Sequence, residues 1–428
     1  MSLLFFWVFL FVMAIGVPIV FALGLAPLVG FILAEKTIFL KMIVQRTFAG
    51  VNQFPLLAIP FFILAGELMN RSGITVSLVR FANSLVGHLR GGLAHVNIVT
   101  SMLFAGISGS AVADTSAVGS TMIPAMERDG YSRKFAAAVT AASSVVGPII
   151  PPSIIMVIYA FMMNVSVAGL FAAGVVPGLL VGLALMAVTA IISKRRNYPK
   201  TEKRAPIGEV AQSAKNAALP LLTPVIIIGG ITGGVFTPTE AASIAAFYAL
   251  ILSLFVLKTL KPSELPQIFL HAAVSSGAIL LVVGTATAFA WIATLSQVPI
   301  KLSTLLFSIS DNPYMLLFLI NVLLLFVGMF LDAGPAILIL GPILAPTMVQ
   351  LGVHPLHFAI IMCVNLTVGL ATPPMGLILF VASGLTRLRV EVIALEMLPF
   401  LAIEIGVIFL ITYVPAVSMT IPKLLGFY

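Results

Sequence analysis

Few residues in this sequence are equipped for chemistry, and most of them fall in four short runs. Ser108-Gly109-Ser110 offers two hydroxyls, and Asp332-Ala333-Gly334-Pro335 offers one carboxylate, each inside otherwise apolar sequence. The other two runs are Ser143-Ser144-Val145-Val146-Gly147-Pro148-Ile149-Ile150-Pro151-Pro152 and Asn365-Leu366-Thr367-Val368-Gly369-Leu370-Ala371-Thr372-Pro373-Pro374. A Pro-Pro pair removes two backbone donors and frees carbonyls about one turn earlier. A simple kink would need only one proline. Hydroxyl, carboxylate and carbonyl oxygens are hard ligands, suited to a small hard cation and not to a soft transition metal. Helix N-termini at the same places would favour an anion. Ser110 and Asp332 would each begin a helix, so both also read as N-caps. That reading does not exclude a ligand role.

The four runs are two pairs. Sliding the sequence against itself by 222 residues puts Gly106 on Gly328, Ala111 on Ala333, Gly119 on Gly341 and Pro124 on Pro346. Met126 then falls on Met348, Gly130 on Gly352, Val146-Gly147 on Val368-Gly369, and Pro151-Pro152 on Pro373-Pro374. Ser110 and Asp332 share a column. Corresponding interrupted segments in two halves of an apolar chain are the best sequence pointer to a transport site near the bilayer midplane.

The elements that must hold these runs are membrane segments. Hydrophobic residues make up 61% of the 428 and charged ones 8%, against roughly half and a quarter in a soluble domain. Apolar spans lie at 3–33, 54–69, 135–162, 166–192, 217–231, 238–257, 270–296, 356–384 and 396–421. Most reach the roughly 20 residues that a crossing helix needs. The first could be broken at Gly16-Val17-Pro18. Residues 3–34 have no charged n-region and no small-residue cleavage site, so they read as membrane-embedded and not as a signal peptide. Regions 91–126 and 313–348 are punctuated near their middles and read as re-entrant helical hairpins. Residues 72–90 and 299–311 read as interfacial amphipathic stretches. The polar stretch 193–216, with Lys194, Arg195, Arg196, Lys200, Lys203 and Arg204, reads as a cytoplasmic linker.

The net charge of +8 is a topology signal here, not a nucleic-acid signal. Arg128, Arg133 and Lys134 follow the first hairpin, whereas its counterpart loop at 350–357 has no Lys or Arg. Arg90, Lys258, Lys261, Arg387 and Arg389 fit the same assignment. The halves are therefore expected to be inverted relative to each other. Lys36, Lys41 and Arg46 fit poorly, since they would lie outside.

The expected fold is all-α and integral to the membrane: an inverted repeat with two re-entrant hairpins and two unwound transmembrane helices. Residues 1–192 form the first repeat, with scaffold at 1–90, hairpin and unwound helix at 91–162, and a helix at 166–192. Residues 193–216 link it to the second repeat, 217–428. There the scaffold is 217–311, the hairpin and unwound helix 313–384, and the last helix 396–421.

The other polar residues read more plainly. Thr237-Pro238-Thr239-Glu240 is a capping box, with Glu240 structural. Asp114 lies one turn past Ser110 and is open to either an ion-related or a structural role. Glu67 and Glu404 are weaker cases of the same kind. Cys363 reads as packing. The five histidines show no metal-ligand spacing. An HExxH set, a GxGD setting and a GxxxxGK[ST] loop are all missing from the sequence, which argues against an intramembrane enzyme and against ATP as the energy source.

The runs at 106–126 (GISGSAVADTSAVGSTMIPAM), 147–153 (GPIIPPS), 60–69 (PFFILAGELM) and 237–242 (TPTEAA) resemble the large membrane subunit of TRAP transporters, the tripartite ATP-independent periplasmic carriers. The resemblance covers essentially the whole chain. It implies an elevator-type ion-transporter fold and Na⁺-coupled uptake of organic acids across the bacterial inner membrane, with the hairpins and unwound helices sliding as a unit against the remaining helices, in a multi-pass protein surrounded by lipid. It also implies two partners, a small four-helix membrane subunit and a periplasmic substrate-binding protein. Carried over, one Na⁺ site falls on Ser108 and Ser110 with carbonyls around Gly147, Ile150 and Pro152. The second falls on Gly328 and Asp332 with Gly369 and Thr372. The substrate is expected beside Gly109, Ser144, Gly334 and Thr367. Among carboxylates, which include C4-dicarboxylates, sialic acid is the expected substrate. A stand-alone Na⁺/dicarboxylate symporter is the alternative. Relatives of that kind carry Ser-Asn-Thr at the hairpin tip where this chain has Ser108-Gly109-Ser110.

Overall fold

The computed structural model describes residues 4–200, 204–310 and 312–428. Leu3 of the first apolar span, Lys203 of the polar stretch and Asp311 of the interfacial stretch lie outside them. Among the described residues the secondary structure is helical, apart from one isolated bridge between Arg90 and Lys200. Among the described residues, seven helices are long and apolar enough to cross a membrane. The first apolar stretch divides into Leu4–Ala14 and Ile19–Leu33. The break follows Gly16, whose φ of +85° suits a residue without Cβ, and Pro18, which cannot donate a backbone hydrogen bond.

From residue 92 the chain runs through a series of helices twice. Gly92–Ser108 and Ala111–Arg128 make the first hairpin, followed by Arg133–Ser144, Ile154–Met163 and Val167–Arg195. At the offset of the sequence repeat come Pro313–Gly328 and Ala333–Gln350, then Pro355–Gly369, Leu377–Thr386 and Val390–Tyr413. Both Pro-Pro peptide bonds, 151–152 and 373–374, are cis. In each half the two hairpin arms pack against the first half of the broken helix that follows. The second halves cross over. Ile154–Met163 packs on the second hairpin and Leu377–Thr386 on the first. The two repeats are thus interlocked into one body.

That body is larger than the sequence suggests. The long helix Val167–Arg195 packs mainly on both broken helices and the first hairpin, with a smaller contact to the scaffold helix Ile207–Thr232, and Val390–Tyr413 joins it. The reason lies in a ridge of small residues. Gly174 lies under the Ile149 carbonyl and Met156, Gly178 under Ile150, and Gly182 under Met102. A Cβ at Gly178 would stand 2.4 Å from Ile150 Cγ1. Small residues let helices approach closely where hydrophobicity alone supplies no drive between them. The remaining scaffold is residues 4–86 with 207–309, centred on the long helix Leu265–Leu295.

Three further expectations need correction. The linker assigned to 193–216 shrinks to 196–206, because Val167–Arg195 and Ile207–Thr232 extend into it. Residues 207–216 are mostly helix formers behind Pro206, with Glu209 in the first turn. What remains is also held down: Tyr198 stacks on Tyr131 at 4.5 Å, and the Gly91 N–H donates to the Pro199 carbonyl at 2.8 Å. The last span, 396–421, starts earlier and ends at Tyr413. Past Pro415, Ala416–Leu424 is a separate helix. Finally, the stretch around Lys41 and Arg46 is a helix, Leu40–Val51, that no apolar window revealed. Its Thr47, Gly50 and Val51 seat on Gly284 and Thr287 of the long scaffold helix, while Arg46 lies over the Trp291 ring at 5.4 Å. An amphipathic helix of this kind keeps its cations off the packed face, so Lys41 and Arg46 are exposed.

Candidate functional site

The first hairpin turns at Gly109, whose φ is +59°. Ser108 closes one arm and is buried; Ser110 caps the other, its hydroxyl accepting from the Ala113 N–H at 3.4 Å. The tip rests on the broken stretch of the first repeat. A Cβ on Gly109 would stand 2.6 Å from the Pro152 carbonyl oxygen, and one on Gly147 would stand 3.2 Å from the Ser110 carbonyl oxygen. Among the described residues, the carbonyls of Gly147, Ile150 and Pro152 receive no protein hydrogen bond. Two hydroxyls and three free carbonyls therefore share one locality.

The second tip is built differently. Asp332 caps Ala333–Gln350, its carboxylate accepting from the Ala333 N–H at 2.8 Å. Gly328 lies directly on Gly369, and the Gly376 N–H donates to the Met329 carbonyl at 3.3 Å. The Gly328 and Thr372 carbonyls receive no protein hydrogen bond among the described residues, whereas the Gly369 carbonyl accepts from Thr372 N–H at 2.9 Å. Both caps expected from the sequence are present. The oxygen-rich stretches also stand where the repeat puts them.

Both tips open on one cavity of about 290 Å³. Three helix N-termini reach it, those of Ala111–Arg128, Ile154–Met163 and Ala333–Gln350. Each presents backbone N–H groups without helical partners and the positive end of a helix dipole. Asp332 is the one ionisable side chain in its lining. Of the four residues assigned to substrate, Gly109 and Gly334 line the cavity. Ser144 and Thr367 do not. Both are fully buried, with hydroxyls donated to the carbonyls of Thr140 and Cys363 at 2.8 and 2.7 Å. Their helices turn them into the body because the fourth residue back offers an acceptor.

The far wall of the cavity was not legible. It is formed by Val20 and by Ala278, Ile279 and Val282 of the scaffold. An apolar residue on a cavity wall and one facing lipid look alike in sequence. Glu240 completes its capping box with Thr237, accepting from the Thr237 N–H at 2.8 Å.

Two interrupted helices and two hairpin tips around one cavity, in a membrane chain that is helical among the described residues, are the architecture of a membrane transport protein. Comparison with known proteins takes this further. The family model for the tripartite ATP-independent periplasmic transporter, DctM component, matches residues 6–417. The chain is 42% identical to the sialic acid TRAP transporter large permease protein SiaM of Vibrio cholerae, over 96% of this chain and 95% of that protein. It is 42% identical to the C4-dicarboxylate TRAP transporter large permease protein DctM of Pseudomonas aeruginosa, over 89% of each. Its fold is similar to the crystal structure of the Alcanivorax borkumensis YdaH transporter, with a TM-score of 0.63, 16% identity, and coverage of 89% of this chain and 88% of that one. The chain belongs to the tripartite ATP-independent periplasmic transporter family, as its large permease component. It is a multi-pass membrane protein, and such permeases sit in the bacterial inner membrane.

Proposed function

We propose that this chain is the permease of a Na⁺-coupled importer of organic acid anions. The observation that carries the reading is the convergence of three helix N-termini and Asp332 on one cavity between the interlocked body and the scaffold. The N-termini suit a carboxylate without any Lys or Arg. The hydroxyls, free carbonyls and carboxylate behind the tips suit Na⁺. One ion would sit with Ser108, Ser110, Gly147, Ile150 and Pro152, the other with Gly328, Asp332, Gly369 and Thr372. Cation binding at the tips would order them, and only then would the substrate be held between. The interlocked body, its hairpins entering and leaving on one membrane side, would carry substrate and ions across by sliding against the scaffold. A periplasmic binding protein would deliver the acid, and a small membrane subunit would widen the scaffold.

The two large-permease relatives, named for sialic acid and for C4-dicarboxylates, stand at the same identity. Overall similarity therefore does not choose between the acids, and the carboxylate is the shared chemistry. Sialic acid is the first to test. The experiment is uptake by proteoliposomes containing the permease and its partners, driven by an inward Na⁺ gradient. Uptake should collapse when K⁺ replaces Na⁺, and Asp332→Asn should need more Na⁺ for half-maximal rate. Equal uptake without Na⁺ would overturn the coupling.

A further inference from the structure

Behind the first hairpin tip, one turn past Ser110, Asp114 is fully buried, and neither carboxylate oxygen has a hydrogen-bond partner among the described residues. The hydroxyls of Ser101, on the other hairpin arm, and Ser144, on the first half of the broken helix, stand beside it, and no charged group acts on it. The hydroxyls of this pocket also have carbonyl acceptors within reach. Ser144 Oγ donates to the Thr140 carbonyl at 2.8 Å, and Thr140 Oγ1 donates to the Ala136 carbonyl at 2.8 Å. The Asn97 amide donates to Thr140 Oγ1 at 2.7 Å. Ser143 lies within hydrogen-bond distance of the Thr140 carbonyl at 3.1 Å and of Asn97 Oδ1 at 3.2 Å, and it shares a bond of 3.1 Å with Ser101 that either hydroxyl can donate. The two serine oxygens, both hard ligands, are the polar atoms beside the carboxylate. A carboxylate left in such a low-dielectric interior has two ways out: it takes up a proton, or it holds a positive charge among these oxygens.

We propose that Asp114, Ser144 and Ser101 form a third cation site, apart from the two at the hairpin tips, for a monovalent ion of the Na⁺ type. Charge balance selects the valence. One carboxylate and one monovalent ion are neutral together, whereas a divalent ion would bury an uncompensated charge. The ligands are all hard oxygens. The second repeat shows that hairpin packing alone does not call for a buried acid. There Asp114 is matched by Ala336, Ser101 by Leu323 and Ser144 by Leu366. The site ties both hairpin arms to the broken helix. It also touches the tip directly, since the Asp114 N–H donates to the Ser110 carbonyl at 3.0 Å. It extends the Na⁺-coupled reading by one ion and gives Ser144 a ligand role in place of substrate contact.

The test is thermal unfolding of the full-length chain in lipid nanodiscs against NaCl, with choline chloride holding the ionic strength. Binding to the folded state raises Tm with a dependence on log[Na⁺] that counts the linked ions. Wild type should show a steeper dependence than Asp114→Asn. Ser144→Ala, which keeps the carboxylate, should shift half-saturation upward by at least about tenfold. Asp332→Asn should leave the Asp114 share in place, so the double variant should lose more than either single one. A wild-type Na⁺ response in Asp114→Asn, or in Ser144→Ala should the first variant not fold, overturns this site and leaves the coupling intact. A wild-type chain that ignores Na⁺ overturns the coupled reading itself, and this site with it.

Discussion

Gly328 and Gly369 touch backbone to backbone: a Cβ on Gly369 would stand 2.5 Å from the Gly328 Cα. This contact joins the second hairpin tip to the second broken helix, and neither partner can yield by turning a side chain. Gly369→Ala should therefore push the tip away from its carbonyls. Overpacking of this kind costs about 1–3 kcal/mol. The expected outcome is a lower Tm and a loss of Na⁺-driven uptake. Gly406→Ala is the control, since nothing lies within 4 Å of its added Cβ, and a helical Gly→Ala change favours the helix by about 1 kcal/mol. Equal behaviour of the two variants would remove the contact from the mechanism.

Gly109 carries two demands at once. Its φ of +59° disfavours a side chain, and the Pro152 carbonyl oxygen lies 2.6 Å from where a Cβ would go. That carbonyl is one of the oxygens assigned to the first ion. Gly109→Ala should raise the Na⁺ concentration for half-maximal uptake more than it alters the substrate dependence. The check is a pair of titrations, one in Na⁺ and one in substrate. A purely substrate-side effect would show that the glycine serves the anion and not the ion.

Much of this was readable from residues alone, for physical reasons that also mark where reading stops. Gly109, Gly147 and the Pro-Pro pairs were visible because backbone demands leave few residue choices. Ser110 and Asp332 were visible because caps follow from helix ends. The assignment of Val167–Arg195 to the interlocked body was not visible. Gly174, Gly178 and Gly182 form a ridge that any apolar helix might carry, and only its neighbours say what sits on it. The helix Leu40–Val51 was hidden because its contacts are made by Thr47 and Gly50, which hydropathy does not count as core. That Ser144 is buried away from the cavity was not visible, because a sequence gives the residue but not the direction it faces.

Gly66 offers a test of sliding. It lies on the scaffold helix Ala58–Arg71, and a Cβ there would be 3.6 Å from the Ser108 Cα, an ordinary contact. Gly66→Ala should therefore be close to wild type. Gly66→Phe should place a ring across the path of the tip. The expected outcome is a chain that binds Na⁺ with a Tm rise but transports poorly. Full transport by Gly66→Phe would argue against motion of the body past this helix.

Glu396 holds the base of the body in an asymmetric way. Its carboxylate is buried, accepts from Arg196 and lies 3.3 Å from the Lys134 ammonium, while both cations are largely exposed. Arg196 also covers the Phe135 ring at 5.5 Å. Removing the carboxylate in Glu396→Met lets both cations turn to water. The loss should be small, about 1 kcal/mol, because pairs with exposed partners are screened. Removing both cations in Lys134→Met with Arg196→Met strands a charge in the interior, and a stranded buried partner costs about 3–5 kcal/mol. Thermal unfolding of the two variants against wild type reads the difference. The double cation variant should be the less stable by several degrees, and adding Glu396→Met to it should restore much of the loss. A triple variant no more stable than the double one would mean that Glu396 is solvated and that the packing on Phe135, not the buried charge, holds this corner together.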